Sequence, residues 1–330
     1  MKNRLGIFLC FALIVLSTPC FGQDEWWKEH PAKKVESYNF SPDVPLEDRV
    51  VAVPGHVMDF MLIFDKDYIA EDAPYRAYTP TESELEEVKA AIRRLPKEMK
   101  EKISPYLLGI YFIENLLGSG FAEFVPDEEG KDHYFMLFNP KVLKMDASEW
   151  ITDKERSCFI EEPGYELEID IGEGLSGFYY IFSHEISHVY DYIAKVTPGE
   201  GKLESEKDRE NYPFIGGVWD EFGKPKDKYT FNGMGDITFY GMNDGPKIKI
   251  SEAPALYDRL QQSPFVTLYG AVNWMEDFAE YMAAHMNIRL YERPWKLTVS
   301  KDGEVIYEMK DILKRENIKS RVAFVEKLLE

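Results

Sequence analysis

His184 and His188 stand four residues apart in a segment, from about Phe178 to Lys195, that reads as a helix. That spacing stacks both imidazoles on one helix face, close enough to reach a single ion. Glu185 lies about 100° round the same turn. It is too far round to ligate comfortably but within reach of a water beside the ion. Zinc lowers the pKa of such a water to about 7. A neighbouring carboxylate can then take its proton and later protonate a leaving amine. The bland reading is two inert, hydrogen-bonded histidines on a partly buried helix, and a third ligand separates the two.

No third histidine follows closely, because position 191 is Asp and position 194 is Ala. The best donor is the run Asn273-Trp274-Met275-Glu276-Asp277-Phe278-Ala279-Glu280, in a second helix predicted over roughly 273–288. Glu276 and Glu280 share one face of it, as His184 and His188 do of theirs. Two facing helices can therefore supply two histidines and a carboxylate and leave a fourth position open. His285 comes nine residues after Glu276, about 180° round, and is expected to point away. A solvated acidic face would also suit Glu276 and Glu280, although Phe278, Ala279 and Met282 give the helix a buried side.

HExxH on one helix with a glutamate on a later one resembles the gluzincin branch of zinc peptidases. More closely, Phe265-Val266-Thr267-Leu268-Tyr269-Gly270, then Asn273, then Glu276-Asp277-Phe278-Ala279-Glu280 resembles the catalytic domain of anthrax lethal factor and related bacterial peptidases. The resemblance covers about 165–195 and 265–285. It implies a zincin-like fold, zinc as cofactor and a peptide or protein substrate. It further implies Glu276 as third ligand, Glu280 as a carboxylate orienting a ligating histidine, and Tyr269 as the hydroxyl that stabilises an oxyanion. His188-Val189-Tyr190-Asp191 resembles the H-x-x-D extension common in such proteins, which implies that Asp191 also orients a ligand. The segment 196–264 departs from the pattern, and it leaves substrate specificity open.

The remaining elements predict an α+β class. Thr81 to Glu84 is a capping box opening a helix with Leu85, Val88, Ile92 and Leu95 on one face, ended or kinked at Pro96. Segments 106–113, 121–125 and 133–138 read as strands. In Tyr165-Glu166-Leu167-Glu168-Ile169-Asp170-Ile171, apolar and acidic residues alternate, as in the outer strand of a sheet. In zincins such a strand receives substrate by β-addition, which the resemblance extends to this one. Residues 196–264 read as a long irregular insertion. Segments 295–299 and 304–308 flank Lys301-Asp302-Gly303 as a hairpin, and a last helix runs from about 320 to 329. The expectation is a small mixed sheet beside two ligand-bearing helices, in a single domain over 23–330. Residues 23–80 are an N-terminal elaboration of it and 290–330 a C-terminal hairpin and helix.

The first residues supply an address. Lys2 and Arg4, the apolar run Leu5–Leu16, then Ser17-Thr18-Pro19 and Cys20-Phe21-Gly22 before the polar Gln23, match a secretory signal peptide cleaved near Gly22. The run is too short to span a bilayer, so no stable transmembrane anchor is expected. Pro19, and Leu16 one place too early, argue against lipid attachment at Cys20. An extracytoplasmic chain, periplasmic or secreted, follows. Removing Lys2 and Arg4 takes the net charge from −20 to −22. That repels phosphate backbones and excludes nucleic acid as a partner. Cys158 is then the one cysteine left, so no internal disulfide can form. Two functions fit these residues: a zinc metallopeptidase, and a zinc-holding cell-surface module without catalysis. An intact Glu185 favours the first.

Overall fold

The computed structural model describes residues 26–329 apart from 200, 202, 204, 205 and 243. Residues 1–22, expected from the sequence to be a signal peptide, lie outside the described residues. Two compact units divide the chain between Lys144 and Met145, where the sequence reading carries one domain.

In the N-terminal unit the order is α1 (Gly55–Phe64), β1 (Arg76–Tyr78), α2 (Glu82–Arg94), α3 (Lys97–Ile103), β2 (Leu107–Glu114), β3 (Gly120–Pro126) and β4 (Asp132–Phe138). The capping box forms as expected, with the Thr81 side chain accepting from Glu84 N–H and the Glu84 carboxylate accepting from Thr81 N–H. The sheet order is β1-β2-β4-β3, and β2 with β4 is its parallel pair. Parallel pairing buries both strands on both faces, and β2 and β4 are accordingly apolar almost throughout. Val57, Phe60 and Met61 of α1 pack with Ile113, Phe135 and Leu137. Trp27 meets Phe124 edge to face, which ties the irregular lead-in to this core.

A buried acid in this unit gives a pH signature. Burial raises Asp65 from the ordinary 3.8 to about 6, although the Tyr75 hydroxyl donates to it at 2.7 Å. The unfolded chain gives up that proton near 3.8, so Asp65 favours folding below that pH, and its contribution is lost as pH rises through 6. A separation of this size corresponds to up to about 3 kcal/mol. Asp65→Asn keeps an acceptor for Tyr75 and cannot ionise. Its Tm should match wild type near about pH 4 and exceed it near about pH 7.5. An equal shift at both pH values would contradict this.

The C-terminal unit contains α4 (Ala147–Arg156), β5 (Phe159–Ile160), β6 (Tyr165–Asp170), α5 (Gly177–Ala194), α6 (Glu206–Glu210), β7 (Trp219–Glu221), β8 (Lys224–Pro225), β9 (Ile248–Lys249), α7 (Ala253–Gln262), α8 (Trp274–His285), β10 (Lys296–Lys301), β11 (Glu304–Lys310) and α9 (Lys319–Leu329). The class is α+β in both units, with small sheets and helices. The hairpin β10–β11 turns at Asp302 and Gly303, with φ of 51° and 82°. Positive φ at both turn residues suits the right-handed twist of the flanking strands. Part of the irregular reading is corrected: within 196–264, α7 forms on a stripe of Ala253, Leu256, Tyr257 and Leu260. Its i, i+3, i+4, i+7 spacing is enough to fold a helix against a core.

The order β11-β10-β6 places β6 at a sheet edge, with Leu167 and Ile169 inward and Glu166, Glu168 and Asp170 exposed. The end of that edge at 169–171 is already taken. The N–H of Ile169 donates to Thr152 Oγ1 at 2.9 Å, and the Thr152 hydroxyl donates back to Ile169 C=O at 3.2 Å. The N–H of Ile171 donates to Ser148 Oγ at 3.0 Å. A peptide adding along 169–171 would find these groups used by α4, which corrects the substrate-strand expectation there.

Candidate metal centre

Every residue of α5 from Gly177 to Asp191 is buried. A helix buried all round is the centre of its domain. Gly177 permits its start: a Cβ there would lie 2.8 Å from the Trp150 side chain of α4. Each polar group on such a helix needs a partner. Ser183 and Ser187 turn their hydroxyls back to the C=O of Tyr179 and Ser183. Asp191 accepts from the N–H and hydroxyl of Thr197 at 2.7 and 2.6 Å. His184, Glu185 and His188 remain, and both histidines face α8.

Asn273 caps α8, its side-chain oxygen accepting from the N–H groups of Met275 and Glu276. This fixes the turn that carries Glu276. Glu276 Oε2 lies 3.0 Å from His184 Nε2 and 3.5 Å from His188 Nε2. The two Nε2 atoms are 3.1 Å apart. Ligands at zinc distances on a tetrahedron stand about 3.3 Å from one another, so the three atoms have the separations of one tetrahedral face. Glu276 Oε2 is buried and lacks a properly directed hydrogen bond among the described residues. Neutral imidazole nitrogens and a carboxylate oxygen are also the donors that zinc accepts. On these observations the buried group His184, His188 and Glu276 can hold a metal ion.

Charge is concentrated here. Burial disfavours a charged His184, but Glu276 and Glu280 overcome it and bring its pKa to about 10. Burial likewise opposes ionised Glu276, and His188 and His184 prevail, holding it at about 2. Burial raises Glu185 to about 7 against the pull of both histidines. Glu185 is 2% exposed.

Of the other expected residues, Glu280 places its Oε1 3.1 Å from His184 Nδ1, which has no properly directed hydrogen bond among the described residues. The i, i+4 pair Glu276 and Glu280 thus faces both nitrogens of His184. Asp191 accepts from Thr197 with both oxygens, and no hydrogen bond joins it to His188 Nδ1 among the described residues. The helix ends three residues later, at Ala194, and the nearest donors to Asp191 are those of the turning chain. Tyr269 lies in a 3₁₀ turn before α8, its ring centroid 5.8 Å from that of His184 and 5.1 Å from that of Phe239. His285 is outside the cluster. Cys158 is fully buried, and burial raises its thiol to about 12.

Sequence reasoning missed two groups. Lys154 of α4 donates to Glu280 Oε1 at 2.6 Å. Arg321 of α9 forms a two-pronged ion pair with Asp277, next to Glu276, and Trp219 Nε1 donates to the same carboxylate at 2.7 Å. Lys154 had a signal, since it falls on the apolar stripe Ala147, Trp150, Ile151 of its helix. The partners of Asp277 are 44 and 58 residues away and left no local trace. Among the described residues no helix is long and apolar enough to cross a membrane. No protein-family model, no curated protein and no solved structure matches this chain.

Proposed function

We propose that this chain is an exported zinc metallopeptidase of the gluzincin type, with a zincin-like arrangement in residues 145–330. The observation that carries the reading is the meeting of His184 Nε2, His188 Nε2 and Glu276 Oε2 within 3.5 Å of one another beside Glu185. Zinc held by these three residues would supply an activated water and polarise a substrate carbonyl. Glu185 takes the proton of that water onto its carboxylate as the oxygen bonds to the carbonyl carbon. It then gives the proton to the leaving nitrogen as the C–N bond breaks. Tyr269 would donate its hydroxyl to the developing oxyanion, a role supported by the nearness of its ring, tilted at 47° with its centroid 5.8 Å from that of His184. Glu280, its Oε1 3.1 Å from His184 Nδ1, would accept from that nitrogen and so present Nε2 to the ion. The Lys2-to-Gly22 segment supports export.

The test is zinc content of the purified protein together with cleavage of a peptide library, with and without a chelator. Stoichiometric zinc and cleavage that chelation stops and zinc restores are expected. Zinc without cleavage would instead favour the non-catalytic surface module. Cleavage indifferent to chelation, or a protein that takes up no zinc, would overturn the proposal.

A further inference from the structure

Lys154 occupies a position where the periodicity of α4 calls for an apolar side chain. It is 5% exposed. A buried ammonium is costly unless paired and hydrogen-bonded, so its partners indicate its purpose. Its Nζ lies 2.6 Å from Glu280 Oε1 and 4.2 Å from the centroid of the Tyr269 ring. The same Glu280 oxygen lies 3.1 Å from His184 Nδ1, and Glu280 Oε2 accepts from the Tyr180 hydroxyl at 3.3 Å. One carboxylate is therefore held between a cation on α4 and an imidazole on α5, while the cation also lies against the ring of Tyr269.

We infer that Lys154 is a positioning residue for the metal centre, anchoring Glu280 so that it accepts from His184 Nδ1 and leaves Nε2 as the donor to the ion. The inference rests on the metal reading above. An imidazole can ligate through either nitrogen, and the partner on one fixes both the tautomer and the ring orientation of the other. Glu280 can serve as that partner only if its carboxylate does not rotate away. The ammonium at Oε1 limits rotation of the carboxylate, because turning away would strand a buried lysine. Tyr269, stacked on the same ammonium, is placed by the same contact.

The alternative is that Lys154 merely neutralises a buried charge and matters to stability alone. A double-mutant cycle separates the two, with the full-length mature chain and zinc as the probe, affinity being read by competition with a chromophoric chelator. Lys154→Met should weaken zinc binding about 10- to 100-fold, as loss of a histidine's partner does. Glu280→Gln should weaken it similarly. If Lys154 acts through Glu280, the double variant binds zinc as well as Glu280→Gln alone, within about threefold. Wild-type affinity in Lys154→Met, or a double variant as weak as the product of the two single losses, overturns the inference. Should Lys154→Met fail to fold, Glu280→Gln against the charge-balanced double variant decides by itself: equal affinities support the inference and a further drop overturns it. A wild-type protein that binds no zinc removes the metal reading, and this inference with it. Zinc-binding wild type with an indifferent Lys154→Met removes only the second.

Discussion

Glu185→Gln should hold zinc at the wild-type stoichiometry and hydrolyse peptide about a thousandfold more slowly, the loss expected when a general base is removed. The substitution keeps the shape of the side chain, so the packing of α5, where Glu185 is 2% exposed, is not disturbed. It also leaves His184, His188 and Glu276 in place. Glutamine cannot accept the proton of an attacking water, nor return it to the leaving nitrogen. The loss should fall on kcat and kcat/KM alike, because the interaction is absent from the ground state. Stability should rise slightly or stay level, since burial disfavours the ionised carboxylate that the variant removes. Two measurements check this: metal content by mass spectrometry and single-turnover cleavage of a peptide found in the library assay. Full activity in the variant would exclude Glu185 as the base. Loss of zinc together with activity would mean that Glu185 contributes to holding the ion.

Glu276→Gln should have the opposite pattern, losing the metal itself. Its neutral amide presents a poor ligand in place of Oε2, which stands 3.0 and 3.5 Å from the two histidine nitrogens. Zinc affinity should fall by more than about 100-fold, beyond the cost of losing a residue that only supports a ligand. The effect extends to stability. An ion that binds only the folded state stabilises it by about 4 kcal/mol at a thousandfold excess over Kd. For a body the size of residues 145–330 that is roughly 10 °C in Tm. Chelation should therefore lower the Tm of wild type by about this amount, and leave Glu276→Gln unmoved. If His184, His188 and Glu276 were only a hydrogen-bonded network, chelation would change neither protein.

The two histidines, Glu185 and the two carboxylates of α8 were legible because helical periodicity is local. Residues four apart share a face whatever the rest of the chain does. The same locality made the capping box at Thr81, the Asp302-Gly303 hairpin and the alternation in β6 readable. Least was legible where a residue had to choose among distant partners. Asp191 has the spacing to support His188, yet the chain turns after Ala194 and brings Thr197 to it first. The outer strand β6 has the alternation of an open edge, yet Thr152 and Ser148 of α4 occupy the backbone groups of Ile169 and Ile171. The helix α7 shows that the reverse also occurs, a local stripe passed over inside a segment dominated by glycine, proline and charge.

The motif His184 to His188 thus set by itself which side chains share a helix face and which chemistry they suit. Only the packing of α5 against α8 brought Glu276 Oε2 between the two imidazoles and Glu280 behind His184. Only the placement of α4 set Lys154 against Glu280. The reason is physical. Spacing along a helix is fixed by covalent geometry and one turn of hydrogen bonds, whereas the partner of a buried charge is whichever group the folded core places against it.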